Sequence, residues 1–237
     1  MPLFGASAEP RRLVLWRHGR TEWNAVGRAQ GHADVSLDEV GRAQVARAAP
    51  LLASYEPAFV WSSDSARARE TAEPLAALTG HRCRLDRRLR EYDVGARQGM
   101  TSGEFHEAFP DVFARYLAGE DDIRVPGAEA RADVQTRMLE VMNEAAAAVE
   151  PGQTGVLVGH GASLRTGLLA FFGIPVQSRE MLAGMANCAW TVLHQHHRHG
   201  WQIVDYNAQT LRADRPRRRP VVPLSAPEAQ TRIAGSG

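Results

Sequence analysis

The sequence predicts an α/β fold, a three-layer α/β/α arrangement around a mainly parallel sheet. Three observations lead there. Short, continuous apolar runs recur along the chain, stretches with helical spacing separate them, and each run stops at a loop rich in polar, reactive side chains.

The first run, Leu13-Val14-Leu15-Trp16, is apolar at every position, as expected of a strand covered on both faces, and it ends at Arg17-His18-Gly19. Leu37, Gly41, Gln44, Val45, Ala48, Leu51 and Leu52 then fall on one helical face, and Pro50 predicts a kink or an early end. The second run, Phe59-Val60-Trp61, ends at Ser62-Ser63-Asp64. Ala68, Thr71, Ala72, Leu75 and Leu78 mark the next helix, with Ser63 or Asp64 expected as its N-cap.

Residues 92–126 are more polar and suggest short helices forming a cap near the strand ends, and residues 129–149 read as one long helix. The third run, Val156-Leu157-Val158, ends at Gly159-His160-Gly161, and residues 162–172 open a helix directly afterwards. Residues 189–193 and 201–206 read as late strands, a hairpin at the sheet edge. From about Arg212 the chain turns Pro/Arg-rich and then small and polar. We therefore expect a catalytic domain over residues 11–210 and a disordered tail over 211–237.

Composition narrows the chemistry. The 28 basic residues nearly cancel the 27 acidic ones, which argues against a dedicated nucleic-acid binder. All the basic residues are arginine. Without lysine there is no Schiff-base chemistry and no phosphate loop of the kind that depends on a lysine. Cys83 and Cys188 form no spaced motif, so a reducing compartment is expected. Residues 1–10 lack the apolar core of a signal peptide, and no run approaches membrane-spanning length. The expectation is therefore cytoplasmic, with no membrane partner.

Arg17-His18, Ser62 through Arg67, and His160 stand at the ends of three strands, where open α/β sheets bind ligands. Two arginines and two histidines brought together make an anion site, and bidentate arginine suits a phosphoryl group. Arg67 would lie in the first turn of its helix, where a cation opposes the helix dipole and needs an anion to explain it.

Four ordered blocks carry a resemblance. They are Arg17-His18-Gly19-Arg20-Thr21-Glu22-Trp23-Asn24, the stretch Ser62-Ser63-Asp64-Ser65-Ala66-Arg67-Ala68-Arg69-Glu70-Thr71-Ala72, Leu89-Arg90-Glu91-Tyr92-Asp93-Val94-Gly95, and Val158-Gly159-His160-Gly161. Together the chain resembles the histidine phosphatase (phosphoglycerate mutase-like) superfamily over roughly residues 12–207. The resemblance implies a phosphoglycerate mutase-like fold and a phosphohistidine intermediate on His18. Arg17, Arg67 and His160 would clamp the phosphoryl oxygens, and Glu91 would act as the acid and base. Substrate binding would fall to Arg17, Asn24, Gln30, Gly31, Arg67 and Gly161. No metal and no cofactor are implied, because the arginines supply the positive charge.

Asp93 and Glu104 compete with Glu91 on proximity alone, and Glu22 reads as a loop buttress. His194, His196, His197 and His199 could suggest a metal cluster, but they bracket a turn in a polar stretch and read as a solvated loop.

Within the family, cofactor-dependent mutases resemble one another in a longer insertion carrying paired arginines. This chain has Glu120, Asp121 and Asp122 there with only Arg124, so hydrolysis is expected over mutase activity. The segment Met181 through Trp190 resembles actinobacterial phosphatases of the glucosyl-3-phosphoglycerate type. The expected partner is a small phosphorylated metabolite, and the expected state is a monomer or homodimer.

Overall fold

Leu13 and Leu15 face one side of strand β1 (Arg11–Arg17), Val14 and Trp16 face the other, and none of the four is exposed to solvent. The computed structural model describes residues 9–118, 120 and 124–210. The expected tail at 211–237, and Asp121 and Asp122, lie outside the described residues.

The burial of β1 follows from its place in a six-stranded sheet of order β3-β2-β4-β1-β5-β6. Strands β2 (Pro57–Ser62), β4 (Thr154–Gly159) and the short β3 (Arg84–Leu85) run parallel to β1, β5 (Trp190–His196) pairs antiparallel with β1, and β6 (Gly200–Ala208) pairs antiparallel with β5. The late strands do form an edge hairpin, with β6 outermost. The two-residue β3 was not foreseen, because it is too short to show a pattern.

Helices cover both faces. On one side α2 (Glu39–Ala53) and α3 (Ala66–Thr79) pack Val45, Leu52, Ala72 and Leu75 against Val14, Trp16, Val60, Val156 and Val158. On the other, α6 (Arg131–Ala148) and α7 (Gly161–Phe171) pack Met138, Met142, Leu164 and Leu168 against Leu13, Leu15 and Leu157. Each fully buried side chain of this size contributes roughly 1.5–3 kcal/mol relative to exposure. The short α1 (Glu22–Ala25) follows β1, and α4 (Ser102–Ala108) and α5 (Pro110–Leu117) form the expected cap. No helix among the described residues is long and apolar enough to cross a membrane.

Three local expectations are corrected. Helix α2 runs on to Ala53, past Pro50, so the early end does not occur: the proline forgoes the bond its own N–H would have made to the preceding turn, and the three residues after it stay helical. Leu51 and Leu78, placed on the buried faces, are 50% and 59% exposed, since each sits at the edge of its helix's stripe near a C-terminus. Finally, α3 is capped by neither Ser63 nor Asp64. Its N-cap is Ser65, whose side chain makes no capping bond, and the Asp34 carboxylate accepts the Ala66 N–H at 2.6 Å instead. Ser63 and Asp64 are engaged elsewhere: Ser63 faces His160, and Asp64 holds Arg90 bidentately at 2.6 and 2.7 Å.

Candidate active site

The site begins with register. Arg17 stands opposite Gly159, and Ser62 opposite Val158, so three parallel strands release their loops at one level. His18 is tied into the frame by its own N–H, which donates to Gly159 O at 3.0 Å, and by its carbonyl, which accepts from Cys188 N at 2.9 Å. Gly19 follows because a Cβ there would lie 2.8 Å from the carbonyl oxygen of Gly41.

The His18 ring is almost fully buried. Its Nδ1 lies 2.7 Å from the Gly19 carbonyl oxygen, which requires the proton on Nδ1 and leaves the Nε2 lone pair free. Burial, then the Arg67 and Arg17 charges, push its pKa well below the usual 6.5, so the ring is held neutral. The His160 ring meets it edge-on, with centroids 5.1 Å apart.

Arg67 projects from the first turn of α3 and is completely buried. Its Nη1 donates to Ala33 O at 2.7 Å, its Nη2 to Gly31 O at 2.8 Å, and its Nε to His160 Nδ1 at 3.2 Å. Burial draws its pKa down to about 10. The charges of Glu91 and Asp34 pull the other way, while Arg17 lowers it further. Arg17 donates through Nη1 to the Met185 carbonyl, and its buried Nε has no hydrogen-bond partner. Gly161 permits this approach, since a Cβ there would lie 3.2 Å from Arg17 Nε.

His160 differs from the sequence expectation in detail. It joins the cluster, but it has no exposed surface, its Nδ1 accepts from Arg67, and its Nε2 lies 2.9 Å from Ser63 Oγ. Both ring nitrogens are engaged, so in this arrangement it braces Arg67 rather than reaching into the cleft.

Glu91 accepts from Tyr92 N at 3.0 Å and Ser163 N at 2.9 Å through Oε1, and from Ala162 N at 3.1 Å through Oε2. The carboxyl group thus sits at the N-terminus of α7, held by three backbone N–H groups. Its competitors are committed: Glu104 pairs with Arg28 at 2.7 Å, and Asp93 Oδ1 accepts from Gly95 N at 2.9 Å. Glu22 is exposed, and its side chain makes no hydrogen bond among the described residues. The buttress reading is therefore not supported.

Asn24 Oδ1 accepts from Thr21 N, Thr21 Oγ1 and Asn187 Nδ2, which turns the Asn24 amide Nδ2 away from these bonds and leaves it available. Gln30 is buried, and its Oε1 has no partner. Arg17, His18, Asn24, Gln30, Gly31, Arg67 and Glu91 all line one cleft of about 940 Å³, roofed by the α4–α5 cap.

Sequence reasoning missed several supports. Arg137 donates to the carbonyls of Arg88, Arg90 and Glu91 while pairing with Glu129 at 2.7 Å. His32 Nε2 donates to the same Glu91 carbonyl at 2.9 Å. Arg137 left a signal, since it interrupts the buried stripe of Val134, Met138 and Val141 on α6. Asn187 and Asp34 left none. Of the late histidines, His194 and His196 belong to β5 and His197 and His199 to the turn into β6; His196 stacks on both His197 and His199, and among the described residues no group of three His, Cys, Asp or Glu is arranged to hold a metal.

Comparison with known proteins places the chain in a family. The profile of the Histidine phosphatase superfamily (branch 1) matches residues 13–209. A glucosyl-3-phosphoglycerate phosphatase of Mycolicibacterium vanbaalenii is 41% identical over 196 residues, covering 79% of this chain and 86% of the relative. One from Mycobacterium tuberculosis is 37% identical over 213 residues, covering 84% and 95%. A mycobacterial glucosyl-3-phosphoglycerate phosphatase solved in complex with VO3 superposes with a TM-score of 0.75 at 38% identity, over 84% of this chain and 100% of that one.

Proposed function

The chain belongs to the histidine phosphatase superfamily, and from that membership and the cleft's geometry we propose that it hydrolyses phosphomonoesters of small metabolites, without a metal, through a phosphohistidine on His18. The observation that carries this reading is the His18–Gly19 hydrogen bond, which aims a neutral imidazole's free nitrogen into a cleft bounded by two guanidiniums.

In the first step His18 Nε2 attacks phosphorus in line, and the alcohol leaves with a proton from Glu91. Arg17 and Arg67 carry the charge of the equatorial oxygens in a loose transition state. In the second, Glu91 takes a proton from water, the oxygen attacks the phosphohistidine, and inorganic phosphate departs with His18 regenerated. His160 contributes by fixing Arg67 Nε. A direct contact from His160 to the phosphoryl group would require its Nε2 to leave Ser63.

The substrate class we infer is a phosphorylated sugar or glycerate, supported by the glucosyl-3-phosphoglycerate phosphatases that this chain resembles. The test is hydrolysis of p-nitrophenyl phosphate in excess chelator, followed by a panel of phosphorylated glycerates and sugars and a coupled assay for 3- to 2-phosphoglycerate conversion. Hydrolysis that survives chelation, with no mutase turnover, is expected. Loss to chelator with recovery on adding zinc, or turnover in the mutase assay alone, would overturn the proposal.

A further inference from the structure

Arg97 closes the 3-10 turn Gly95–Arg97, on the same loop as Glu91, and faces the same cleft. Its guanidinium lies over the Phe105 ring, 4.6 Å from the centroid, and 5.6 Å from that of Tyr116. Its Nε is buried with no hydrogen-bond partner, and among the described residues no carboxylate pairs with it. The other arginines of the cleft wall are committed. Arg17 and Arg67 form the phosphoryl cradle, Arg28 holds Glu104 and the Gly99 carbonyl, and Arg165 donates to Leu182 O at 3.2 Å. Arg124, Arg131 and Arg179 have partners of their own.

The loop that carries Arg97 is tied down by backbone hydrogen bonds and close backbone packing. Gly95 has φ 51°, and a Cβ there would fall 2.3 Å from the Pro126 carbonyl oxygen. Ala96 N donates to that oxygen at 3.0 Å, and Gly99 N and Ala29 N exchange bonds with Ala29 O and Met100 O. A planar cation with one face on an aromatic ring and unused donors along its edge is suited to a planar anion bound bidentately.

We propose that Arg97 receives a carboxylate carried on the alcohol portion of the phosphomonoester, so that the cleft selects phosphorylated hydroxy acids. This rests on the phosphatase reading of the same cleft.

The experiment compares 3-phosphoglycerate with glycerol 3-phosphate, which differ in a carboxylate against a hydroxymethyl group. The wild-type chain is expected to favour 3-phosphoglycerate by about tenfold or more in kcat/KM. Arg97→Met should remove that preference through KM while leaving glycerol 3-phosphate turnover within about threefold, and Arg97→Lys should restore part of it. Equal loss on both substrates, or a preference that survives Arg97→Met, overturns the assignment. If the wild type hydrolyses neither these two compounds nor p-nitrophenyl phosphate, the phosphatase reading fails instead. Calorimetric affinities of the two compounds for the wild type and Arg97→Met then decide the role of Arg97 on their own, unequal loss supporting it and equal loss overturning it.

Discussion

The Nδ1 atom of His18 lies 2.7 Å from the carbonyl oxygen of Gly19. That contact selects the tautomer in which Nε2 is the nucleophile, and burial, followed by the Arg67 and Arg17 charges, keeps the ring from taking a second proton. Brief mixing with labelled substrate and a quench in base is expected to leave phosphate on His18. His18→Ala should carry no label and lose on the order of a thousandfold or more in kcat. Label that persists in the variant would place the nucleophile elsewhere.

The same burial predicts how stability depends on pH. His18 and His160 are both neutral in the folded chain, their pKa values pushed well below 6.5 by burial first and by Arg67 next. In the unfolded chain these rings protonate near the ordinary value of about 6.5. Below that pH the unfolded state binds more protons, so stability is full above about pH 6.5 and falls as the pH drops toward the folded-state values. Urea midpoints at about pH 7.5 and about pH 5.5 should differ accordingly, and His160→Asn should flatten the slope. Equal slopes in wild type and variant would show that His160 titrates normally.

Gly31 has φ 49°, and a Cβ there would meet Val94 Cγ2 at 2.6 Å, while its carbonyl accepts from Arg67 Nη2 at 2.8 Å. Gly31→Ala should displace that carbonyl and loosen the guanidinium. A loss of roughly tenfold in kcat/KM is expected, matching one weakened charge-assisted hydrogen bond. Unchanged kinetics would mean that Arg67 is held well enough by Ala33 and His160.

Asp34 caps a helix from a distant loop. Removing its carboxylate in Asp34→Ala should destabilise the chain by about 1 kcal/mol, or roughly 2–4 °C in Tm. Ser65→Ala, at the formal N-cap, should change Tm far less, because Ser65 makes no capping bond. Thermal melts of the two variants give the comparison, and the reverse order would contradict this account of α3.

Much of the fold was legible because its signals are local. Leu13 through Trp16 and Val156 through Val158 are apolar at every position, which only a doubly covered strand requires, and both became central strands. The residues after those strands were legible as a site for the same reason, since polar groups at the end of a buried strand must find partners. Pro50, Leu51 and Leu78 misled because helix ends are decided by neighbouring contacts as much as by pattern.

The sequence by itself determined the strands other than the two-residue β3, the two helical layers and the chemical identity of the groups at the strand ends, because periodicity and residue type are properties of short stretches. Only the tertiary structure decided that β4 lies between β2 and β1, which sets His18, Ser63 and His160 side by side. It also decided that Asp34 caps α3, that Glu91 meets the start of α7, that His160 spends both nitrogens on Arg67 and Ser63, and that Arg97 faces the cleft without a carboxylate partner. Those outcomes depend on strand register and on where separate loops meet, and a hydrogen bond forms or fails over a few tenths of an ångström that no local pattern encodes.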